Sequence, residues 1–184
     1  MPVVAEREQL PVAEARAGDP AAWDVLFQRY QLPLYVFVFE LLQNEQASLD
    51  VVQETFIRAA RHIGGLRDDG RFGSWLFGIA HQQCSRRWRR TVREQAALEE
   101  LAHAPKDLPE DPGEILIRNE QEAEFARLLS RLPEPQRAAL LLHYLEDFSL
   151  EEIAEAVDAP VGTVKSRLHH ARRAMRSLLE QAKS

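Results

Sequence analysis

From Val161 to Leu179 the chain reads VGTVKSRLHHARRAMRSLL, a stretch with Lys165, Arg167, Arg172, Arg173 and Arg176 and neither Asp nor Glu. Its apolar residues Val164, Leu168, Ala171, Met175 and Leu178 recur at steps of four and three, which predicts a helix with one buried stripe. Thr163, Lys165, Ser166, Arg167, His169, His170 and Arg173 are then offered elsewhere. Just upstream, Ser149 and Glu152 have capping-box spacing, in which hydroxyl and carboxylate each satisfy an orphan amide at a helix start. Leu150, Ile153, Ala154 and Val157 make one apolar face, and Asp158-Ala159-Pro160 breaks the helix. Two short helices, a tight turn and a basic second helix predict a helix-turn-helix that reads DNA. A basic helix lying on a membrane or in solvent needs neither the capped partner nor the turn.

The formal net charge of -6 hides this feature. By segment the picture reverses: Arg71 to Arg93 carries six arginines (71, 86, 87, 89, 90 and 93) and no acid, and Val161 to Leu179 carries five basic residues and no acid. Between them Glu94, Glu99, Glu100, Asp107, Glu110, Asp111, Glu114, Glu120, Glu122 and Glu124 face only Lys106 and Arg118. Two basic surfaces are thus separated by an acidic connector. Such a connector repels phosphates, so it separates the two sites, solvates a linker, or fills a basic channel.

A length of 184 residues suits one or two small domains. Ala102 to Gly113 (AHAPKDLPEDPG) has linker composition, with Pro105, Pro109, Pro112 and Gly113 among charges. The predicted organisation is all-α: a helical domain over 1–95, an acidic linker over 96–118, and a helix-turn-helix domain over 119–184. No apolar run reaches membrane-spanning length, and MPVVAEREQL lacks the basic then apolar pattern of a signal peptide, so a cytoplasmic protein without membrane insertion is expected. Cys84 is the only cysteine, which excludes an internal disulfide and a cysteine-based zinc cluster within one chain.

In the N-terminal part, Trp23, Leu26, Phe27 and Tyr30 fit a helical face. Leu34 to Phe39 (LYVFVF) has strand propensity, yet no partner strand is visible and Val38, Leu41 and Leu42 extend a helical stripe, so helix is predicted. From Ser48 to Ile63 the pattern turns Leu49, Val52, Phe56, Ala60 and Ile63 inward and Asp50, Gln53, Glu54, Arg58 and Arg61 outward. Gly64-Gly65 stops this helix. After the polar loop Leu66 to Arg71, a stripe of Phe72, Trp75, Leu76, Ile79 and Ala80 continues into a strongly basic segment from His81 to Arg90.

Three segments then carry a resemblance: DVVQETFIRAARHI, RFGSWLFGIAHQQCSRRWRR, and LPEPQRAALLLHYLEDFSLEEIAEAVDAPVGTVKSRLHHARRAM. In order and spacing they resemble the extracytoplasmic-function (ECF) group of the sigma-70 family, bacterial transcription-initiation subunits, from about Asp19 to Leu179. The resemblance implies that the first block grips the clamp helices of core RNA polymerase and opens the minus-10 promoter element. It implies that the second block binds the minus-35 element. Residue by residue it assigns polymerase docking to Asp50, Gln53 and Glu54, through their DxxQE spacing. Phe56 and Trp75 lie on inward stripes and read as core.

Opening a promoter extrudes bases at a cost of a few kcal/mol each, repaid by stacking, edge hydrogen bonds and phosphate neutralisation. The resemblance places a captured base against the loop Leu66 to Arg71 and a non-template-strand contact at His81, with Arg71, Arg86, Arg87 and Arg90 on the same minus-10 surface. At the minus-35 element it gives base reading to Lys165, Ser166, His169 and His170, and backbone contacts to Thr163 and Arg167. Arg172, Arg173 and Arg176 lie further along the helix, where arginines attract phosphates. The implied partners are core polymerase, promoter DNA and an anti-sigma protein. No cofactor and no metal is implied, and no catalytic residue.

Two other readings remain open to the sequence. A helix-turn-helix regulator acting without polymerase explains the C-terminal half but gives no task to the DVVQETF helix or the Arg71 to Arg93 strip. An enzyme using Cys84 and His81 lacks the Gly-rich loop, oxyanion hole or paired carboxylates that would complete a site.

Overall fold

The computed structural model describes residues 10–101 and 120–182 of the chain. Among the described residues every regular element is helical: α1 (Val12–Arg16), α2 (Pro20–Leu42), α3 (Glu45–His62) and α4 (Phe72–Leu101), then α5 (Glu120–Ser130), α6 (Glu134–Glu146), α7 (Leu150–Ala156) and α8 (Val161–Ala182). Short 3-10 turns at Ile63–Gly65 and Asp69–Arg71 link α3 to α4. The linker composition of 102–113 lies outside the described residues, whereas 96–101, expected in the connector, continue α4 as helix.

Asp19 starts α2 by accepting a hydrogen bond from the Ala21 amide, and Pro20 follows at a position whose amide would have no helical partner anyway. The segment with strand propensity is helical, because Leu34, Phe37 and Val38 are completely buried on one side of α2. Tertiary packing decides here, since β propensity expresses fit to a sheet surface. Gln43 ends the helix in the left-handed region at φ 49°. Leu26 and Tyr30 face the core as expected, but Phe27 is 43% exposed and leans on Phe56, with ring centroids 4.9 Å apart.

The buried face of α3 differs from the predicted one by about one residue. Ser48, Val51, Val52, Thr55 and Ala59 are buried, while Leu49 and Ala60 point outward. Apolarity alone misses this face because two of its residues are polar. Ser48 Oγ donates to the Asn44 carbonyl at 2.7 Å, and Thr55 Oγ1 donates to Val51 at 2.6 Å while accepting from Gln83 Nε2 at 2.9 Å. Once hydrogen-bonded, hydroxyls cost little to bury.

On α4, Phe72, Leu76, Phe77, Ala80 and Cys84 are buried, with Trp75 and Ile79 at the margin. Gly73 is required by close approach: a Cβ there would lie 2.9 Å from Tyr30 Oη and 3.3 Å from the Phe148 ring. In the C-terminal half the capping box is formed, Glu152 N donating to Ser149 Oγ and Ser149 N to Glu152 Oε2. Asp158, left-handed at φ 48°, makes the turn into α8, whose Val164, Leu168, Ala171 and Met175 are buried.

The two halves are not held apart. α2 packs on α6 and α4 on α7, so the buried residues form one contiguous core. Phe77 of α4 meets Phe148 edge to face at 5.6 Å, and a Cβ on Gly78 would sit 3.4 Å from the Ala156 Cα.

Candidate nucleic-acid interface

Burying the Val164 stripe fixes which side chains α8 can offer. Lys165, Ser166, His169, His170 and Arg173 are exposed, and Thr163 and Arg167 are half-buried at the edge of the stripe. Among the described residues no ion pair joins these seven to another side chain. The His169 and His170 rings lie edge to face at 5.6 Å. Arg172 turns elsewhere, its guanidinium 6.0 Å from the centre of the exposed Tyr144 ring. A basic helix with its N-terminal half uncovered and its back packed on α6 and α7 has the form that enters a major groove.

The α4 strip is engaged differently. His81 Nε2 lies 3.1 Å from Glu134 Oε1 at the start of α6, and this hydrogen bond holds the Glu134 carboxyl below the usual carboxylate range despite its burial. Arg71 Nη1 lies 2.7 Å from Glu155 Oε1 of α7. Arg87 Nη2 reaches Asp50 Oδ2 of α3 at 3.3 Å. Arg86 and Arg90 are exposed and, with Arg89 and Arg93, line a concavity of about 390 Å³. The strip expected to face one strand is therefore split. Arg71 and His81 face the C-terminal half, Arg87 faces α3, and Arg86, Arg89, Arg90 and Arg93 line the concavity.

Asp50 and Gln53 are exposed on α3, as the apolar pattern requires, and Glu54 is half-exposed. Asp50 also accepts from Gln46 Nε2 at 3.3 Å, and Glu54 pairs with Arg58 one turn on at 2.6 Å. Beside this polar face stand Leu49 and Ile57, 48% and 38% exposed, which the sequence pattern had not placed there. Their signal was present: once Ser48 and Thr55 are taken as buried, the helix rotates and both apolar residues come outward.

A groove of about 860 Å³ runs along the side of α4 that faces α7 and the turn after it. Arg71, Trp75 and His81 line it, with Arg67 of the loop expected to capture a base and Arg89 of the basic run, and so do Ser74, Gln82 and Ser85, which sequence reasoning did not single out. From Ser74 to Arg89 the α4 positions follow helical steps of three and four, a signal that was legible. Cys84 lies beneath, buried, its thiol pushed up to about 12 mainly by desolvation, so it is not a nucleophile at neutral pH.

Residues 26–94 match the family Sigma-70 region 2, and residues 122–175 match Sigma-70, region 4. The RNA polymerase sigma-H factor of Pseudomonas aeruginosa is 36% identical over 184 residues, covering 95% of each chain. The chain belongs to the ECF group of the sigma-70 family. The ECF RNA polymerase sigma-E factor of Escherichia coli is 33% identical over 177 residues, covering 91% of this chain and 92% of its own. Among solved structures, the sigma factor RpoE in complex with the anti-sigma factor NepR from Bartonella quintana superposes with a TM-score of 0.64 and 25% identity, over 84% of this chain and 96% of that one. CnrH in complex with the cytosolic domain of CnrY gives 0.67 at 24% identity over 92% and 95%, a likeness of fold.

As an ECF sigma factor the chain directs core RNA polymerase to promoters, and the polymerase performs the chemistry. The regulator acting without polymerase is set aside, because region 2 is matched as well as region 4. Among the described residues no helix is long and apolar enough to cross a membrane.

Proposed function

We propose that this sigma factor docks on core polymerase through Asp50, Gln53 and Glu54, handles the minus-10 element with Arg71, His81, Arg86, Arg87 and Arg90, and reads the minus-35 element with α8. On α8, Lys165, Ser166, His169 and His170 meet base edges, Thr163 and Arg167 meet the backbone, and Arg173 attracts phosphate. The observation that carries this reading is the asymmetry of α8: readers exposed on one side, Val164, Leu168, Ala171 and Met175 buried on the other. A region 2 unit over 1–95, a connector over 96–118 and a region 4 unit over 119–184 divide these tasks, in the cytoplasm, where core polymerase and DNA meet. An anti-sigma protein is a further partner in this reading, supported by the solved relative that is bound to one.

The test is run-off transcription with purified core polymerase on a promoter library, which reports both elements together. Replacing Arg86, Arg87 and Arg90 by Ala should leave closed-complex binding largely intact and lower the permanganate reactivity of promoter thymines. Thymines as reactive as with the unaltered chain would make these three arginines ordinary solvated surface.

A further inference from the structure

We propose that Arg16 of α1 is a positioning residue for promoter opening: it sets the conformation of the loop over 63–71 before a base arrives, and does not itself touch the base. The proposal rests on the capture of an extruded minus-10 base by this loop, the role carried over from the family.

The loop's own hydrogen bonds are local. Three of the nine residues from Ile63 to Arg71 are glycine, the residue that loses most conformational freedom on ordering. Leu66 N donates to the Ile63 carbonyl at 3.0 Å and closes the first turn. Arg71 N donates to the Asp68 carbonyl at 3.0 Å, and Gly70 N to Asp68 Oδ1 at 2.9 Å, which closes the second. Each of these bonds stays within its own turn. The Arg16 guanidinium joins the two. Its Nη2 donates to the Leu66 carbonyl at 3.1 Å and to Asp69 Oδ1, and its Nε donates to the Ile63 carbonyl at 3.5 Å. Three donors of one planar fork thus serve one loop, a geometry that a lysine ammonium does not reproduce.

α1 gives this contact a firm base. Val12 and Ala15 are buried, and Trp23 Nε1 of α2 donates to the Ala15 carbonyl at 3.0 Å, one residue before Arg16. The same Trp23 side chain meets the Phe72 ring, at the start of α4, edge to face at 6.3 Å. Leu66, Arg67, Asp68 and Arg71 line the groove along α4, whereas Arg16 and Asp69 do not. A base held in that groove therefore meets the loop and not its clamp. Ordering a segment costs conformational entropy, so a loop already in place binds tighter than one that its ligand must order.

The test uses holoenzyme assembled from the full chain and purified core polymerase, with a single strand carrying the minus-10 sequence of a promoter selected by run-off transcription. Each base is removed in turn as an abasic site. At the captured position the loss should cost about tenfold in affinity or more, because stacking is gone. In Arg16→Ala that penalty should shrink about fivefold, as for a loop in place in only about one molecule in five. Asp69→Asn weakens the clamp without altering a groove-lining residue; it should shrink the penalty about twofold, and the double variant should go no further than Arg16→Ala. Affinity for the abasic strand, for a minus-35 duplex and for core should match the unaltered chain. An undiminished penalty in Arg16→Ala would overturn the positioning role. So would equal weakening of intact and abasic strands, the mark of an arginine that only stabilises the fold. A strand with no penalty at any position in the unaltered chain is a different result: it removes base capture by the loop, and the role of Arg16 falls with it.

Discussion

The two basic helices α4 and α8 are alike in sequence and unlike in the fold. Each carries an acid-free run of cations behind a buried stripe. On α8 the base-reading residues point to solvent, because Val164, Leu168, Ala171 and Met175 are buried within the same half, chiefly against α6 and α7. On α4 the helix is gripped from three sides, and Arg71, His81 and Arg87, all assigned to the minus-10 element, already have carboxylate partners. The difference teaches that a basic run predicts affinity for phosphate only where acids from elsewhere in the fold do not reach it first. One helix is an exposed reader and the other a contested one.

The largest effect should come from Phe77, which serves both halves by packing on Phe37 at 5.3 Å and on Phe148 at 5.6 Å. Phe77→Ala should destabilise the protein by about 3–5 kcal/mol in urea unfolding, with region 2 affected more than region 4. A loss below about 1 kcal/mol would mean that α4 is not held as tightly as the comparison requires. Next, Asp50→Lys with Glu54→Lys should weaken core polymerase binding by at least about 100-fold while circular dichroism is unchanged, since both residues lie outside the packed face of α3. Normal affinity for core would remove the docking assignment.

The contrast between the helices also marks how much was legible beforehand. The helix-turn-helix could be read almost completely, because its cap, its turn and its stripe are local signals that agree: Ser149 with Glu152, Asp158 in the left-handed region, Val164 to Met175 buried. The LYVFVF segment was assigned correctly from its surroundings rather than from its propensity. The inward face of α3 was missed by about one residue because Ser48 and Thr55 are buried through hydrogen bonds that depend on α4 and on the backbone. The pairs Arg71 with Glu155, His81 with Glu134 and Arg29 with Glu146 had no signature at all. Each joins residues from opposite halves, and nothing in spacing reports which acid a fold will bring to which base. Promoter-facing residues on α4 were thus recognisable as basic, but their partners were not.

Exposure on α8 should translate into base discrimination. Lys165→Ala and His170→Ala should each change which minus-35 base is preferred, by about 1–3 kcal/mol per lost contact, in binding competition across all single-base variants of the site. Uniform weakening with the same preference profile would reduce both residues to phosphate attraction. The platform beneath them is sensitive to its cap: Ser149→Ala should lower the stability of region 4 by about 1 kcal/mol, because the Glu152 amide loses its acceptor. No change in midpoint would show that α7 is held by packing alone.

The smallest effect probes the comparison most directly, through the salt dependence of binding. A cation that neutralises one phosphate contributes about 0.9 to the slope of log affinity against log salt on duplex DNA, and about 0.7 on a single strand. Arg173 is exposed on α8, so Arg173→Ala should flatten the slope for a minus-35 duplex by about 0.9 and weaken all sequences alike. Arg87 is different because Asp50 stands 3.3 Å away and already compensates part of its charge. In the free chain Arg87→Ala should flatten the slope for a minus-10 strand by clearly less than about 0.7. The pair is about half-exposed on both sides, and such pairs are worth only about 0–1 kcal/mol, so the reduction is modest and needs a full salt titration to resolve. Adding Asp50→Ala should restore the full contribution of Arg87, which separates compensation by Asp50 from a simple lack of DNA contact. Should Arg87→Ala flatten the slope by the full amount while Asp50 is intact, the α3 carboxylate does not hold Arg87 in solution, and on this measure the two helices would be equivalent.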